Sequence, residues 1–445
     1  MKPTLAVVLA ALALGACRNY THFERTASVH DDAGVQMDGG HGEKTSCVLE
    51  GRGDLGANPA VGIDTETQHV VTDSPTSVAL VWLPSRQYST ALGLYSGIGT
   101  TTLLQVDDIN GPANNSADHY DLTLHASSFA ATLAPDGNVH VIIVTTGTKS
   151  PVYYTSEYIH DGVSLTWQRT VTWSELPASV AFGDLDADGH PDLLVGFGDA
   201  AGSSASQYIV VYPGTGYKSS TGLLLLGDNS SRVPLISANP AALLSFRGGA
   251  TPQTVFLAVL QQAVSNSTTN TTSKLELLKF TGSFDASTQV SLSSLTSLPT
   301  QTTTMTAADI DNDGQDDLVL GGVDVTGMNS LFAITKLGGT MVLRTIAVDG
   351  SVFGLQRIDW NQDGADDLFL WRQPSTMASW LVPTILQNRG GGRFDTQLPA
   401  TGINPPSFAA APLIQSPVAQ ACPPRLVFSD TVNKRISVYS PGTQQ

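Results

Sequence analysis

The nine residues from Asp184 to Asp192, DLDADGHPD, carry the strongest structural signal in this chain. Related stretches follow at 309–317, DIDNDGQDD, and at 359–367, DWNQDGADD. All three fit the pattern D-x-[DN]-x-D-G-x-x-D and lead into an apolar run typical of a β-strand, such as Leu193–Val195. Acidic side chains at alternate positions can direct their oxygens to one point, and the glycine allows a sharp turn at positive φ. Many oxygen ligands in one place suit a hard cation, so the pattern predicts three Ca²⁺ loops.

These loops are named loop 1 (184–192), loop 2 (309–317) and loop 3 (359–367), and they differ from the calcium loop of an EF-hand. An EF-hand loop lies between helices and ends in a glutamate at its twelfth position. Here the last acid stands at the ninth position and a strand follows. Three solvated acidic turns are the alternative interpretation. Three copies with the same acid spacing, glycine and following strand favour metal binding.

The three loops resemble those of FG-GAP (or VCBS) repeats, which form the β-propeller of integrin α subunits. Phe182-Gly183 before loop 1 matches the pair that opens such a repeat, and Asn388–Phe394 is similar to the Gly-rich turn that often closes one. Loops 2 and 3 depart from the pattern, because Ala307-Ala308 and Arg357-Ile358 stand in place of Phe-Gly. The resemblance implies a β-propeller in which calcium is structural.

The resemblance also implies which atoms bind calcium in each loop. The side chains at positions 1, 3, 5 and 9 are the expected ligands, together with the backbone carbonyl at position 7. Loop 3 has one carboxylate fewer, so we expect it to bind Ca²⁺ most weakly. The expected ligand residues are Asp184, Asp186, Asp188, His190 and Asp192 in loop 1, Asp309, Asp311, Asp313, Gln315 and Asp317 in loop 2, and Asp359, Asn361, Asp363, Ala365 and Asp367 in loop 3.

Apolar strand pairs recur along the chain at a nearly regular interval. Their centres fall near residues 80, 141, 194, 257, 319, 369 and 427. Seven such units predict an all-β chain folded as a seven-bladed β-propeller, with six or eight blades, or a pair of β-sandwiches, as alternatives. Few residues follow the last unit, so we expect residues 55–71 to complete its blade with strands from the other end of the chain.

Composition agrees with an all-β protein. Apolar residues make up 41% of the chain, enough for a core, and short β-branched runs lie between Gly, Pro, Asn and Ser. The net charge of −17 argues against nucleic acid as a partner. We expect the propeller domain to span residues 51–445 and to be a monomer.

The N-terminus carries the signs of export. Lys2 and the apolar run Leu5–Leu14, too short to span a bilayer, are typical of a signal peptide. Leu14-Gly15-Ala16-Cys17 resembles a bacterial lipobox, which predicts lipidation of Cys17; an ordinary signal peptide is the alternative. Residues 1–17 are thus the predicted lipoprotein signal peptide, and 18–50 a predicted disordered, flexible tether. The lipid is the only membrane contact expected, on the outer membrane or cell surface of a bacterium.

The chain has three cysteines. If Cys17 is lipidated, Cys47 and Cys422 remain as a pair in an oxidising compartment. Both lie beside strands predicted for the closing blade, so a disulfide between them would fasten it. Two free thiols are the alternative.

No catalytic motif is found in the sequence: G-x-S-x-G, H-E-x-x-H, the P-loop and C-x-x-C are all absent. The predicted function is a surface-anchored, calcium-binding propeller that is not an enzyme and that binds or adheres to an unidentified protein or glycan. Two alternatives stay open. One is a polysaccharide lyase or hydrolase with a site in the channel, and the other is a lectin with an aromatic platform at Trp167 or Trp371.

Overall fold

The computed structural model describes the chain in separate stretches between Ile63 and Pro441. The predicted signal peptide and tether, with Cys17, Cys47 and Cys422, lie outside the described residues and stay predictions. None of the described residues belongs to a helix long and apolar enough to cross a membrane. The described stretches are 63–70, 75–83, 88–96, 101–106, 118–121, 125–133, 138–146, 152–160, 164–198, 207–218, 224–226, 230–236, 240–248, 254–261, 273–284, 288–293, 295, 301–322, 331–358, 360, 365–375, 382–395, 398–399, 413–415, 426–430 and 435–441.

The described residues form β-strands joined by turns. In chain order the strands are β1 (Ile63–Val70), β2 (Pro75–Leu83), β3 (Tyr88–Ser96), β4 (Thr101–Val106), β5 (Asp118–Asp121), β6 (His125–Leu133), β7 (Val139–Thr146), β8 (Tyr153–His160), β9 (Leu165–Trp173), β10 (Pro177–Gly183), β11 (Asp192–Phe197), β12 (Tyr208–Tyr212), β13 (Gly214–Lys218), β14 (Leu224–Leu226), β15 (Ser231–Pro234), β16 (Ala242–Arg247), β17 (Thr254–Gln261), β18 (Lys274–Thr281), β19 (Thr288–Gln289), β20 (Thr302–Ala308), β21 (Asp317–Gly322), β22 (Leu331–Thr335), β23 (Val342–Ile346), β24 (Ser351–Ile358), β25 (Asp367–Gln373), β26 (Val382–Leu386), β27 (Leu398–Pro399), β28 (Leu413–Gln415), β29 (Leu426–Asp430) and β30 (Arg435–Pro441).

In the described part of the chain these strands make seven four-stranded antiparallel sheets and a two-stranded one, β13–β14. Sheets 1 and 2 are β2–β5 and β6–β9, and sheet 3 is β10-β11-β12-β15. Sheets 4, 5 and 6 are β16–β19, β20–β23 and β24–β27. Sheet 7 has the order β1-β30-β29-β28, so it combines the first described strand with the last three.

The first strands of successive sheets contact one another and close a ring. β2 contacts β6, β6 contacts β10, and the series continues through β16, β20 and β24 to β28, which contacts β2 again. A ring of four-stranded antiparallel sheets is the arrangement of a β-propeller, and the all-β prediction is confirmed. β1 pairs with β30 from Ile63 opposite Pro441 to Val70 opposite Arg435, so residues 55–71 do contribute a strand to the last sheet.

The sequence repeat was misaligned by one strand in sheet 1. Six of the predicted centres fall in second strands of their sheets, from β7 to β29, whereas the centre near residue 80 falls in β2, a first strand. The second strand of sheet 1 is β3. The sequence PTSVALVWL of β2 is more apolar than YSTALGLYS of β3, so hydrophobicity alone selected the wrong member of the pair.

Burial decreases from the inner to the outer strands of a sheet. Every residue of β11 and β21 is buried, whereas the outer strand β9 has no buried residue. Apolar clusters fill the spaces between sheets 2 and 3, 3 and 4, 4 and 5, and 5 and 6. Second strands are therefore covered on both faces, which explains their continuous apolar sequences. Loops 1 and 2 begin and end on largely buried strands, β10 and β11 in sheet 3 and β20 and β21 in sheet 5.

Candidate metal centre

Loops 1 and 2 each join the first strand of a sheet to the second, β10 to β11 and β20 to β21, and have the same backbone turn. Ala187 and Asn312 at position 4 have φ of 59° and 58°. Gly189 and Gly314 at position 6 have φ of 86° and 84°, which confirms the predicted positive-φ glycine in both loops. A Cβ at either glycine would meet nothing within 4 Å. The turn therefore requires glycine for its backbone conformation and not for space.

This turn brings three carboxylates together in each loop. Ligand atoms of Asp184, Asp186 and Asp192 all lie within 4.8 Å of one another. The same holds for the corresponding residues of loop 2, which are Asp309, Asp311 and Asp317. Positions 1, 3 and 9 thus form an acidic cluster in sheets 3 and 5, and either cluster could hold a metal ion.

The acid at position 5 is not part of either cluster. Asp188 Oδ1 accepts a hydrogen bond from the His190 amide at 2.8 Å, and Asp313 Oδ1 accepts one from the Gln315 amide at 2.9 Å. Each carboxylate therefore supports the turn after the glycine. The role of these acids as ligands, and that of the carbonyls of His190, Gln315 and Ala365, stays a prediction.

The acid at position 1 is held by the turn itself. Asp184 accepts hydrogen bonds from the amides of Asp188 and Gly189 at 3.0 and 3.2 Å. Asp309 accepts the matching pair from Asp313 and Gly314 at 3.0 and 2.9 Å. These amides hold the carboxylate at the centre of the loop without the help of an ion.

The acid at position 9 fastens the loop to its sheet. Asp192 accepts from the amides of Leu185 at 2.7 Å and Gly214 at 2.8 Å. Asp317 accepts from Ile310 at 3.2 Å. Asp367 of loop 3 accepts from Trp360 at 3.0 Å and Asn388 at 2.8 Å, the same pattern as in loop 1. The other predicted side-chain ligands of loop 3, Asp359, Asn361 and Asp363, lie outside the described residues.

Burial makes the clustered carboxylates hard to ionise. Burial, and secondly the charge of Asp188, raises the pKa of Asp186 to about 6. Burial and the charge of Asp311 raise the pKa of Asp317 to about 8. Burial likewise raises the pKa of Asp184 and of Asp309, and that of Asp192 well above its usual range. A bound cation would reverse this effect, since it favours the ionised form.

An arginine lies beside one carboxylate of each cluster. Arg247 Nη2, from the end of β16 in sheet 4, donates to Asp184 Oδ2 at 3.0 Å. Arg344 Nη2, from β23 in sheet 5, lies 3.5 Å from Asp311 Oδ2, and its Nη1 donates to Gly391 O at 3.1 Å. Sequence reasoning missed both arginines, because each is distant in the chain from its loop.

A second arginine near loop 2 contacts acids outside the proposed ligand set. Arg357 lies 3.1 Å from Asp316 Oδ1 and 2.9 Å from Asp366 Oδ1. Asp366 Oδ2 in turn accepts from the Asp309 amide at 2.8 Å. Sheet 6 therefore holds the first residue of loop 2 through Asp366. The positive charge of Arg357 offsets the negative charges of Asp316 and Asp366.

The Gly-rich turn of sheet 6 also packs on loop 2. Asn388 and Phe394 pair as an isolated bridge, and the Gly392 amide donates to Ile310 O at 3.0 Å. Asn388 Nδ2 donates to the same oxygen at 3.1 Å. The segment that resembles the closing turn of a repeat thus supports loop 2 of the preceding sheet.

One buried oxygen of loop 2 indicates whether the acidic cluster suits a cation. The Asp311 side chain is 8% exposed, and its Oδ1 has no hydrogen-bond partner within the described structure. A buried carboxylate oxygen without a partner is costly. A cation held by Asp309, Asp311 and Asp317 would satisfy it, so the donor set fits a metal.

Comparison with known proteins identifies the segment that contains loop 1. Residues 176–212, which span β10, loop 1, β11 and β12, match the FG-GAP repeat family. This segment is similar to an FG-GAP repeat. It includes Phe182-Gly183 and loop 1, the residues on which the resemblance was first based.

A comparison with solved structures covers more of the chain than the FG-GAP repeat does. No curated protein matches the chain. Among solved structures, the chain is similar to BBS1N in a crystal structure of BBS1N in complex with ARL6DN, soaked with lead. The identity is 10%, the match covers 87% of this chain and 98% of that chain, and the TM-score is 0.48.

The two tryptophans considered as sugar platforms have different environments. Trp371 is 1% exposed and packs edge-on against Phe369, so it cannot stack on a sugar. Trp167 on the outer strand β9 is 58% exposed, and its indole N–H donates to Thr170 Oγ1 at 3.1 Å. Only Trp167 keeps the exposure that a platform needs.

Proposed function

We propose that this chain is a calcium-stabilised, seven-bladed β-propeller that acts as a surface-anchored binding module for a protein or a glycan. The seven four-stranded sheets of the described residues would be its complete set of blades. The observation that supports calcium is the recurrence of one three-carboxylate geometry in two sheets, with a buried, unpartnered oxygen on Asp311.

The ligand chemistry supports calcium over other metals. The clustered donors are carboxylate oxygens, which suit hard cations and not soft transition metals. Mg²⁺ demands near-octahedral geometry and keeps its waters, whereas Ca²⁺ accepts more oxygens in an irregular arrangement. In each loop the ion would be held by positions 1, 3 and 9, with the position 5 carboxylate and the position 7 carbonyl as further proposed ligands.

Bound calcium would stabilise the folded propeller. Position 1 follows the first strand of a sheet and position 9 begins the second, so an ion between them joins the two strands. It would also neutralise carboxylates whose burial otherwise opposes their charge. The ion would supply binding free energy to the folded state only, which stabilises that state by mass action.

A protein partner would bind at the end of the ring opposite loops 1 and 2. In an antiparallel sheet, the connections between second and third strands lie at the end opposite those between first and second strands. At this end Phe197 lies opposite Tyr208 in sheet 3, and Gln261 lies opposite Lys274 in sheet 4. Surface loops on a rigid scaffold commonly carry the binding residues of a protein.

Export, the lipid at Cys17 and the Cys47–Cys422 disulfide complete the proposal. Cys17→Ser should release the protein from the membrane fraction, and continued lipid labelling of that variant would contradict the anchor.

Peptide mapping without reductant should recover Cys47 linked to Cys422. Free thiols at both positions in exported protein would exclude the bond.

Thermal melting with and without chelator tests the calcium part. Excess chelator should lower the melting temperature, and added CaCl₂ should restore it. Asp311→Asn should reduce the difference, because loop 2 loses one ligand charge. Asp395→Asn, at an exposed acid paired with Arg389, is the matched control and should keep the full difference. Identical curves in chelator and calcium would reject a structural metal.

Glycan arrays test the class of partner. A glycan ligand should bind in calcium and bind weakly in chelator. Trp167→Ala should abolish this binding if Trp167 is the platform, while Tyr208→Ala removes an aromatic that is already covered by Arg232. Absence of binding across arrays would leave a protein as the partner, and turnover of a polysaccharide would contradict the binding-module proposal.

A further inference from the structure

An arginine recurs at one position in two sheets, each of which follows a sheet that carries a metal loop. Arg247 of β16 and Arg357 of β24 both pair with the second residue of the next strand. The equivalent residues of sheets 3 and 5 are Phe182 and Ala307. Each arginine contacts an acid of the preceding sheet and offsets its negative charge.

The two arginines differ in which acids they contact. Arg357 contacts Asp316 and Asp366, neither of which is a proposed ligand. Arg247 contacts Asp184, which is the first proposed ligand of loop 1. Of Arg247 and Arg357, it is Arg247 that places its charge on an oxygen that an ion would use.

We propose that Arg247 is a resident cation that competes with calcium for Asp184 and so sets the affinity of loop 1. This inference rests on the calcium site proposed above. A guanidinium group 3.0 Å from a ligand oxygen repels a divalent ion at the same cluster. The Arg247 side chain is 29% exposed, so it has a path to solvent when an ion binds.

The same contact explains how loop 1 can fold without an ion. Asp184, Asp186 and Asp192 lie within 4.8 Å of one another, and ionised carboxylates this close repel. Arg247 offsets part of that repulsion. Arg344 has a longer contact of 3.5 Å with Asp311 and is 34% exposed, so its competition in loop 2 should be weaker.

Calcium titration calorimetry on chelator-stripped protein tests the competition. Arg247→Gln removes the charge and keeps a hydrogen-bond donor, and one class of site should bind Ca²⁺ about tenfold more tightly. Arg247→Lys keeps the charge and should stay close to wild type. Arg232→Gln is the control, since Arg232 is exposed and stacks on Tyr208 in the same sheet as loop 1. The double variant Asp186→Asn/Arg247→Gln should lose the gain in affinity.

The outcomes separate this inference from the calcium proposal. If wild type binds Ca²⁺ and Arg247→Gln binds it no more tightly, competition is wrong and the calcium site stands. If no variant binds Ca²⁺, both fail.

Side-chain NMR of wild type gives a second readout that needs no charge-removing variant. The guanidinium resonance of Arg247, assigned with Arg247→Lys, should lose its exchange protection when CaCl₂ is added. Unchanged protection at saturating calcium overturns the competition.

Discussion

Loops 1 and 2 have the same backbone and the same cluster of acids, but their cationic neighbours differ. In loop 1 the arginine of the following sheet, Arg247, is bonded directly to a proposed ligand. In loop 2 the arginine at the equivalent position, Arg357, is bonded to Asp316 and Asp366 beside the ligands. The same nine-residue pattern therefore has different charged neighbours in the two loops.

This difference shows which part of the site the repeat encodes. The nine-residue motif fixes the turn and the carboxylate at position 1, because the hydrogen bonds that hold them lie within the motif. The carboxylate at position 9 also accepts from outside the motif, as Asp192 does from the Gly214 amide. Affinity and response to pH depend on charges supplied by neighbouring sheets. The two loops can thus share a geometry and still differ in how strongly they bind an ion.

The largest predicted effect is the loss of Arg357. Arg357→Met removes the guanidinium that contacts the buried acids Asp316 and Asp366, and we expect a loss of about 3–5 kcal/mol in the free energy of unfolding. Urea denaturation in chelator measures it. Arg247→Met, at a partly exposed pair, should cost only about 1 kcal/mol.

Arg389→Met provides the control for this comparison, because Arg389 pairs with Asp395 at the exposed surface. Its effect should be within about 1 kcal/mol of zero. If Arg357→Met lowers the free energy of unfolding no more than Arg389→Met does, the buried contacts of Arg357 with Asp316 and Asp366 do not stabilise the fold.

The next effect is a pH dependence of the metal-free protein. Asp317 has a folded pKa of about 8 against an ordinary value of 3.8, so between these values the folded state binds more protons than the unfolded state. Stability should therefore fall as the pH rises from about 4 to 8. Asp317→Asn should flatten this slope across the whole range.

Asp186 sharpens the comparison of the two loops. Its folded pKa of about 6 limits its contribution to the range between about 4 and 6. Asp186→Asn should flatten the slope only there. Melting curves of both variants in chelator at several pH values decide the matter, and a wild-type stability that rises with pH throughout would contradict the burial of these acids.

A smaller effect than that of Arg357→Met concerns the turn that the loops share. Gly189→Ala and Gly314→Ala each force a side chain into the left-handed region, at a cost of about 1–2 kcal/mol. The two values should agree, because the backbones agree. Gly339→Ala, in open space without positive φ, should be neutral in the same denaturation assay, and unequal costs for the two loop glycines would mean that the loops differ in backbone.

The sequence predicted local features well. Acid spacing, the glycine at position 6 and the apolar run after position 9 lie within a dozen residues of one another, so one repeat contains them all. The pairing of β1 with β30 also followed from the chain length left after the last unit. Position 5 was less predictable, because Asp188 and Asp313 can turn either to an ion or to the amide two residues ahead.

Contacts between sheets could not be predicted in the same way. Arg247 is 63 residues from Asp184, and Arg344 is 47 residues from Gly391. No spacing rule joins such residues until the ring is built. Hydrophobicity also misplaced the repeat in sheet 1, since the apolar content of β2 exceeds that of β3.

Crystals grown with CaCl₂ test the central claim most directly, through anomalous difference density. We predict a peak in each described cluster, at about 2.3–2.6 Å from carboxylate oxygens. One peak should lie among Asp184, Asp186 and Asp192, with Arg247 displaced from Asp184, and one among Asp309, Asp311 and Asp317. Density maps without a peak in either cluster, with Arg247 still bonded to Asp184, would contradict calcium binding by these loops.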